Sequence, residues 1–458
     1  MVKVYAVWIV LGVLFLSGRA FPENEPAGSM EERIDEIKSL EKRIIELEQQ
    51  QKILARKWEI EQQAAAEKAK ASPVVTATSK DGFSLKSADG DFSLRFRGLI
   101  QADTRSVSGS SGSLADDTFT LRRVRPIFEG TLWKDIDFKI VPDFGGGSSS
   151  LQDAYLDFKF LPEFKVRAGR FKSPFGIERL QSCSDTLFNE LGLPSNLTPN
   201  YDIGAAIFGD LYEGKLGYTL GVLNGAADNA SIDSDIDNNK EVAARLFANP
   251  WKGEDSFLGG LGVGFAATYG IKDGTSGSTY LPTYKTIGQA DLFKYASGVV
   301  SDGAQERYSP QLYYSYGSFG VLAEYITSSR KVSKAAATEK LTNKGWQVAA
   351  SYVLTGEDAT YKSVIPRKPV NFTEGSYGAW EVVARFGRLD IDSDTFPTYA
   401  SSTSYPETAT NIGAGLNWYW NRNVKWALDY DWTSFDKGST KGDRKDEHAI
   451  IGRVQLTF

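Results

Sequence analysis

From about residue 82 to Phe458 the chain alternates apolar and polar residues with period two, in segments of roughly ten residues. The last segment, His448 to Phe458, shows the pattern plainly. Ile450, Val454, Leu456 and Phe458 fall on one face, with Gly452 between them, while Arg453, Gln455 and Thr457 fall on the other. A strand with one apolar and one wet face buries the apolar face in a core or turns it to lipid around a water-filled lumen. Sixteen such segments begin near Asp91, Thr118, Asp137, Gln152, Phe164, Asp202, Lys215, Glu241, Gly262, Arg307, Phe319, Lys344, Gly378, Ala409, Val424 and Glu447. Each is as long as a tilted membrane strand needs to be.

Connection lengths separate the two readings. Membrane barrels alternate short periplasmic turns with long outer loops. With both barrel ends in the periplasm, the inner turns fall at Trp133–Ile136, Leu161–Glu163, Leu211–Gly214, Asn249–Gly260, Gly317–Ser318, Thr355–Tyr377 and Asn421–Asn423. Most are tight, and Thr355–Tyr377 is the long exception. The outer connections Ser106–Asp117, Ser173–Tyr201, Asn224–Lys240, Ile271–Glu306, Ser328–Asn343 and Asp390–Thr408 are all long. Trp133, Trp251, Tyr316, Tyr377, Trp420 and Trp426 cluster near the inner turns, as an interfacial girdle does. A soluble sandwich has no reason to place them there. The expected fold is therefore all-β, a 16-stranded antiparallel transmembrane barrel over 82–458. A mean hydropathy of −0.31 is compatible with it, because only alternate residues meet lipid.

Two segments precede the barrel. Lys3, the apolar run Val4–Leu16, and small residues Gly18 and Ala20 form a signal peptide over 1–20. Residues 21–70 are expected to form a periplasmic coiled-coil helix. Its heptads put Met30, Ile37, Ile44, Gln51 and Trp58 at a, and Arg33, Leu40, Leu47, Leu54 and Glu61 at d. A linker over 71–81 follows. Export and the lipid-facing strands place the chain in the bacterial outer membrane, in contact with its lipid.

Composition excludes several functions. A single Cys183 and a single His448 build neither a zinc site nor a disulfide, and no Ser-His-Asp set can be nominated. The chain is not expected to be an enzyme, and no cofactor or metal is implied. Asp233, Asp235 and Asp237 resemble the start of a calcium loop, but Asn238 and Ala244 stand where Gly and Glu belong. A net charge of −6 carries no basic excess for nucleic acid.

Alternation assigns each strand residue a side. Arg95, Arg97, Arg123, Arg125, Lys139, Lys165 and Arg167 face inward, a wall of cations that would guide anions. Inward acids are Asp153, Asp157, Glu324, Glu381, Asp429 and Asp431. Pairing across the lumen would leave the wall a stiffening device instead.

The runs Leu121-Arg-Arg-Val-Arg-Pro-Ile-Phe-Glu-Gly-Thr-Leu-Trp133, Val141-Pro-Asp-Phe144, Leu151-Gln-Asp-Ala-Tyr-Leu156 and Arg167-Ala-Gly-Arg-Phe-Lys-Ser-Pro-Phe-Gly176 resemble the phosphate-selective porin O/P family. So do Leu193-Pro-Ser-Asn-Leu-Thr-Pro-Asn-Tyr-Asp-Ile-Gly204 and Gly345-Trp-Gln-Val-Ala-Ala-Ser-Tyr-Val-Leu-Thr-Gly356. The resemblance implies a homotrimer whose third outer loop, Ser173–Tyr201, folds into the lumen as a constriction. Arg170, Lys172 and Arg179 are then the cations nearest the narrowing. An inward bend of Thr355–Tyr377 would bring Lys362, Arg367 and Lys368 to the periplasmic mouth. The chain departs from its relatives at Leu191 and Tyr201, where they often carry Arg. The expected function is passive diffusion of small anions, phosphate among them. A structural envelope tether and a general neutral-solute porin are the alternatives.

Overall fold

The computed structural model describes residues 29–71, 74–78, 82–109, 117–235 and 237–458. The expected signal peptide lies outside them. The described residues fall into two separate units, divided after Ala71. In the first, one helix, α1, runs from Met30 to Ala71.

The second unit is built on sixteen long strands. They are β1 (Ser93–Ser108), β2 (Asp117–Leu132), β3 (Ile136–Asp143), β4 (Ser150–Leu161), β5 (Phe164–Lys172), β6 (Tyr201–Leu211), β7 (Leu216–Leu223) and β8 (Glu241–Ala248). β9 (Leu261–Asp273), β10 (Val299–Tyr316), β11 (Phe319–Lys334), β12 (Ala337–Val353), β13 (Ala379–Asp390), β14 (Thr408–Tyr419), β15 (Val424–Asp436) and β16 (Glu447–Thr457) follow. Each pairs antiparallel with its neighbours in sequence. β16 closes the barrel on β1, from His448 opposite Ser108 to Thr457 opposite Leu99. The terminal residue completes the seam. Phe458 exchanges both backbone hydrogen bonds with Gly98, at 3.0 and 3.1 Å. Its ring lies where a side chain at 98 would stand, within 2.4 Å of a Cβ built there.

The barrel is inside out relative to a soluble protein. Along β15, Trp426, Leu428, Tyr430 and Trp432 are exposed, whereas the intervening Lys425, Asp429, Asp431 and Thr433 are buried. Such a surface is stable only with hydrocarbon as its solvent. Near the short turn between β14 and β15, Trp380 and Trp418 stack at 4.9 Å, and Trp420 lies 5.2 Å from Trp418 and 6.1 Å from Trp426. This is the girdle expected at one bilayer interface.

Three details differ from the sequence reading. Part of the linker is a strand: Val74–Thr78 pairs with Gly82–Lys86, which in turn pairs with the start of β1. The segment Ser328–Asn343 is not a loop. β11 and β12 pair without interruption as far as Lys334 opposite Ala337. β10 begins at Val299 rather than near Arg307, after a short loop hairpin of Thr283–Lys285 and Asp291–Lys294.

Candidate functional site: a cation-lined constriction

The connection after β5, residues 173–200, lies inside the barrel. Its apolar residues explain why: Phe175, Ile177, Phe188, Leu193 and Leu197 are all buried. The walls of β11 to β16 and β1 receive its backbone. Glu324 accepts from Ile177 N at 3.0 Å, and Asp429 accepts from Asn189 N at 2.5 Å. Lys425 donates to Thr186 O, Asn417 to Leu187 O, Arg453 to Asn189 O and Arg385 to Glu190 O. Gly192 lets the loop press on β12, where a Cβ would fall 1.8 Å from the Gln347 amide oxygen. The long connection between β12 and β13 supports the loop from the short-turn end. Tyr361 donates its hydroxyl to Ile177 O and accepts from Gln181 at its carbonyl, and Ser363 donates to Ser184 O at 2.8 Å.

Because the loop is fastened to one side, the remaining opening lies on the other, along β2 to β6. Three chambers follow one another there and share lining residues. The chamber nearest the long loops is bounded by Arg122, Arg123, Arg179, Glu190 and Lys285. The middle one, about 60 Å³, is bounded by Arg123, Arg125, Lys172, Arg179, Cys183 and Tyr201. The third widens to about 290 Å³ between Arg125, Lys139, Asp153, Tyr155, Arg167 and Lys172.

Most of the expected cations have carboxylate partners. Arg95 and Arg97 lie 3.4 and 3.3 Å from Glu129, and Lys165 lies 3.4 Å from Asp210. None of these three lines a chamber. Lys139 pairs with Asp153 at 3.1 Å, and Arg125 with Asp143 at 2.7 Å. Arg167 grips Asp157 at 2.7 Å and lies 3.8 Å above the Tyr155 ring. Three cations differ. Arg123 donates to the Gln101 amide oxygen at 2.7 Å. Lys172 donates to the carbonyls of Arg179 and Gln181, each at 2.7 Å. Arg179 donates to Thr198, Ser195 O and Asn229. Among the described residues no carboxylate forms an ion pair with any of the three, and all three meet at the narrow middle chamber.

Arg170 corrects the expectation. It binds Gln152 O, Ile232 O and Asp233, fastening the connection after β7, and does not line the passage. Lys362, Arg367 and Lys368 are exposed; Arg367 folds back on Gly356 O at 2.6 Å, and the contact with the constriction loop is made by their neighbours Tyr361 and Ser363. Two arginines were missed. Strict alternation sends Arg122 to lipid. A register shift opposite Gln101 and Ala102 instead turns Arg122 inward beside Arg123. Its guanidinium reaches Glu190 at 2.7 Å, where Arg105 and Arg453 also converge. Two adjacent arginines in a membrane strand were the signal, since one of them could not remain in lipid. Arg105 lay one step beyond Asp103 on the same inward face.

Electrostatics follow from this crowding. Burial would raise the Glu190 carboxyl, but Arg122 and Arg105 hold it well below its usual range. Burial would likewise raise the Cys183 thiol. Arg123, Arg125 and Lys172 outweigh it and bring the thiol down to about 5. Arg125 donates to its sulfur at 3.4 Å.

The family model for phosphate-selective porin O and P matches residues 92–458. This chain belongs to that family. It is a porin of the bacterial outer membrane, and its long-loop end is the outer one. Porin O of Pseudomonas aeruginosa is 24% identical over 413 residues, covering 84% of this chain and 92% of the relative. Among solved structures, the porin is similar to an anion-selective porin from Comamonas acidovorans. That match has a TM-score of 0.51 and 9% identity, and covers 80% of this chain and 100% of the other. It is also similar to the outer membrane channel DcaP of Acinetobacter baumannii, with a TM-score of 0.50, 12% identity, and coverage of 81% and 99%. At these identities the two structures bear on the fold alone.

Proposed function

We propose that this porin is a water-filled homotrimeric channel through which small anions, inorganic phosphate among them, diffuse passively. One observation carries the reading. Arg123, Lys172 and Arg179 surround the narrow middle chamber, and among the described residues no carboxylate is paired to any of them. An anion passing there meets three cations that only the Cys183 thiolate offsets, and a cation meets the same net positive charge as a barrier. Outer and inner cations, Arg122, Lys285, Lys139 and Arg167, extend the positive path but are offset by acids.

The family description supports phosphate as one solute. So does the chemistry of the ring, since a phosphate needs several convergent charged donors and guanidinium groups supply them in forked pairs. Leu191 and Tyr201 border the same chamber, and they add bulk rather than charge.

The test is chloride current through single channels in a planar bilayer, with inorganic phosphate added stepwise. Saturable reduction of the current at millimolar phosphate supports a phosphate site in the constriction. An undiminished current would leave an anion channel without phosphate preference.

A further inference from the structure

Among the described residues of its own unit, none covers the apolar stripe of the helix α1. Ser29 and Glu32 close its first turn reciprocally. Ser29 N donates to the Glu32 carboxylate at 3.1 Å, and Glu32 N to the Ser29 hydroxyl at 3.4 Å. Along the stripe Ile37, Leu40, Ile44, Leu47, Leu54 and Trp58 are each 53% to 66% exposed. A helix of 42 residues with such a stripe is stable when the stripe is covered.

We infer that residues 30–61 form a parallel, in-register, three-stranded coiled coil with the same segment of two further copies of this chain. The inference rests on the homotrimer proposed above. Charge complementarity selects the occupant. Arg43 stands at g and Glu48 at the following e. They are five residues apart and cannot meet on one helix. Among the described residues the ion pairs within α1 are Lys38–Asp35 at 3.7 Å and Arg56–Glu59 at 3.5 Å, and neither includes Arg43 or Glu48. In a parallel coil, g of one helix faces the next e of its neighbour. Arg43 then reaches Glu48 of the adjacent copy, and its stem covers Ile44 and Leu47. An antiparallel pair centred on the same layers would set Glu41 against Glu48 and Glu36 against Lys57. The charges therefore favour a second copy as partner, and the chain sets the direction.

Chain direction agrees. Every copy leads from its helix into a barrel lying in the same membrane, so the helices run the same way. Glu36 faces Glu41 in the parallel register, which loosens the first layers and leaves Leu40 to Leu54 as the firm part. Ile at a with Leu at d leans toward two strands by itself. The trimeric barrel holds three helices at high effective concentration, and that decides the number. Gln51 at a fixes the register, because any slip buries it against an apolar layer.

The experiment uses the full-length porin in detergent with Cys183→Ser. A single cysteine is placed at the seam (Gln51→Cys) or on the opposite face (Gln49→Cys), and a trifunctional maleimide is added. The expected result is a covalent trimer on a denaturing gel for Gln51→Cys, at least about fivefold above Gln49→Cys. Arg43→Glu should lower that yield several-fold, and Glu48→Arg added to it should restore it. Dimer as the end product, or equal yields from both positions, overturns the inference. The mass of the protein lacking residues 21–75 is measured in parallel. A trimeric barrel with no cross-linked trimer refutes the coil alone, whereas a monomeric barrel refutes the homotrimer.

Discussion

Replacing Arg123 by Gln should change ion selectivity more than replacing any paired cation. Arg123 is anchored by an amide and has no carboxylate partner among the described residues, so Arg123→Gln removes a full charge without stranding an acid in the wall. An anion in a chamber of about 60 Å³ passes within about 4 Å of its lining. One charge at that distance is worth about 1 kcal/mol at the dielectric constant of water, and more in a confined space. The anion loses that attraction and the cation loses the same repulsion. The anion-to-cation permeability ratio should therefore fall by about 2 kcal/mol, or roughly 30-fold. Lys172→Gln and Arg179→Gln should act in the same direction. Arg95→Gln is the control. Arg95 is paired to Glu129 and is 42% exposed, so the change should stay within about twofold at ordinary salt. The assay is the reversal potential in a potassium chloride gradient near 0.1 M, where screening leaves short contacts intact. An unchanged potential in all three constriction variants, or an equal shift in Arg95→Gln, would refute the reasoning.

Other expectations follow from the same geometry. With its thiol brought down to about 5, Cys183 is a thiolate above that pH. Its reaction with a negatively charged thiosulfonate should stay nearly level from pH 8 to pH 6, whereas an ordinary thiol would slow by about 70-fold. Lowering the pH through about 5 protonates the thiolate and adds one net positive charge, so anion conductance should rise there, and Cys183→Ser should abolish that step. Arg307 is fully buried between Asp228 at 2.6 Å and Glu241 at 2.9 Å, so Arg307→Met should destabilise the connection after β7 by about 3–5 kcal/mol, read as faster proteolysis of that connection in detergent. Tyr361→Phe removes the hydroxyl that holds Ile177 O, a loss of about 1 kcal/mol, and should raise open-channel noise while leaving the sign of selectivity unchanged.

Period two was readable in the sequence wherever one face of a strand meets lipid. It faded at the long-loop ends of the strands, where the outward face is polar as well and few residues mark the buried one. Between Lys331 and Lys344 the large apolar residues are only Val332 and Leu341, buried with Val299 and Tyr399, so the stretch reads as a loop, yet it continues the β11–β12 ladder. The start of β10 was hidden by Asp302, Gly303 and the register shift between Ser301 and Gln305. The inward fold of the loop 173–200 was expected from the family resemblance, and its buried Leu193 and Leu197 give the physical reason. Which cations remain uncompensated was not visible. Arg97 and Arg123 are equivalent by alternation, and only the register that sets Glu129 beside the first and Gln101 beside the second tells them apart. Arg170 had the right distance from the loop and the wrong neighbours, because the connection after β7 folds over it.

Arg123, Lys172 and Arg179 should set the sign of selectivity at the constriction. The measurement is the zero-current potential of the purified porin in a planar bilayer separating dilute from concentrated potassium chloride. A potential of the sign set by chloride, weakened by Arg123→Gln, is the predicted result. A potential near zero, or one set by potassium, would contradict a passage governed by Arg123, Lys172 and Arg179.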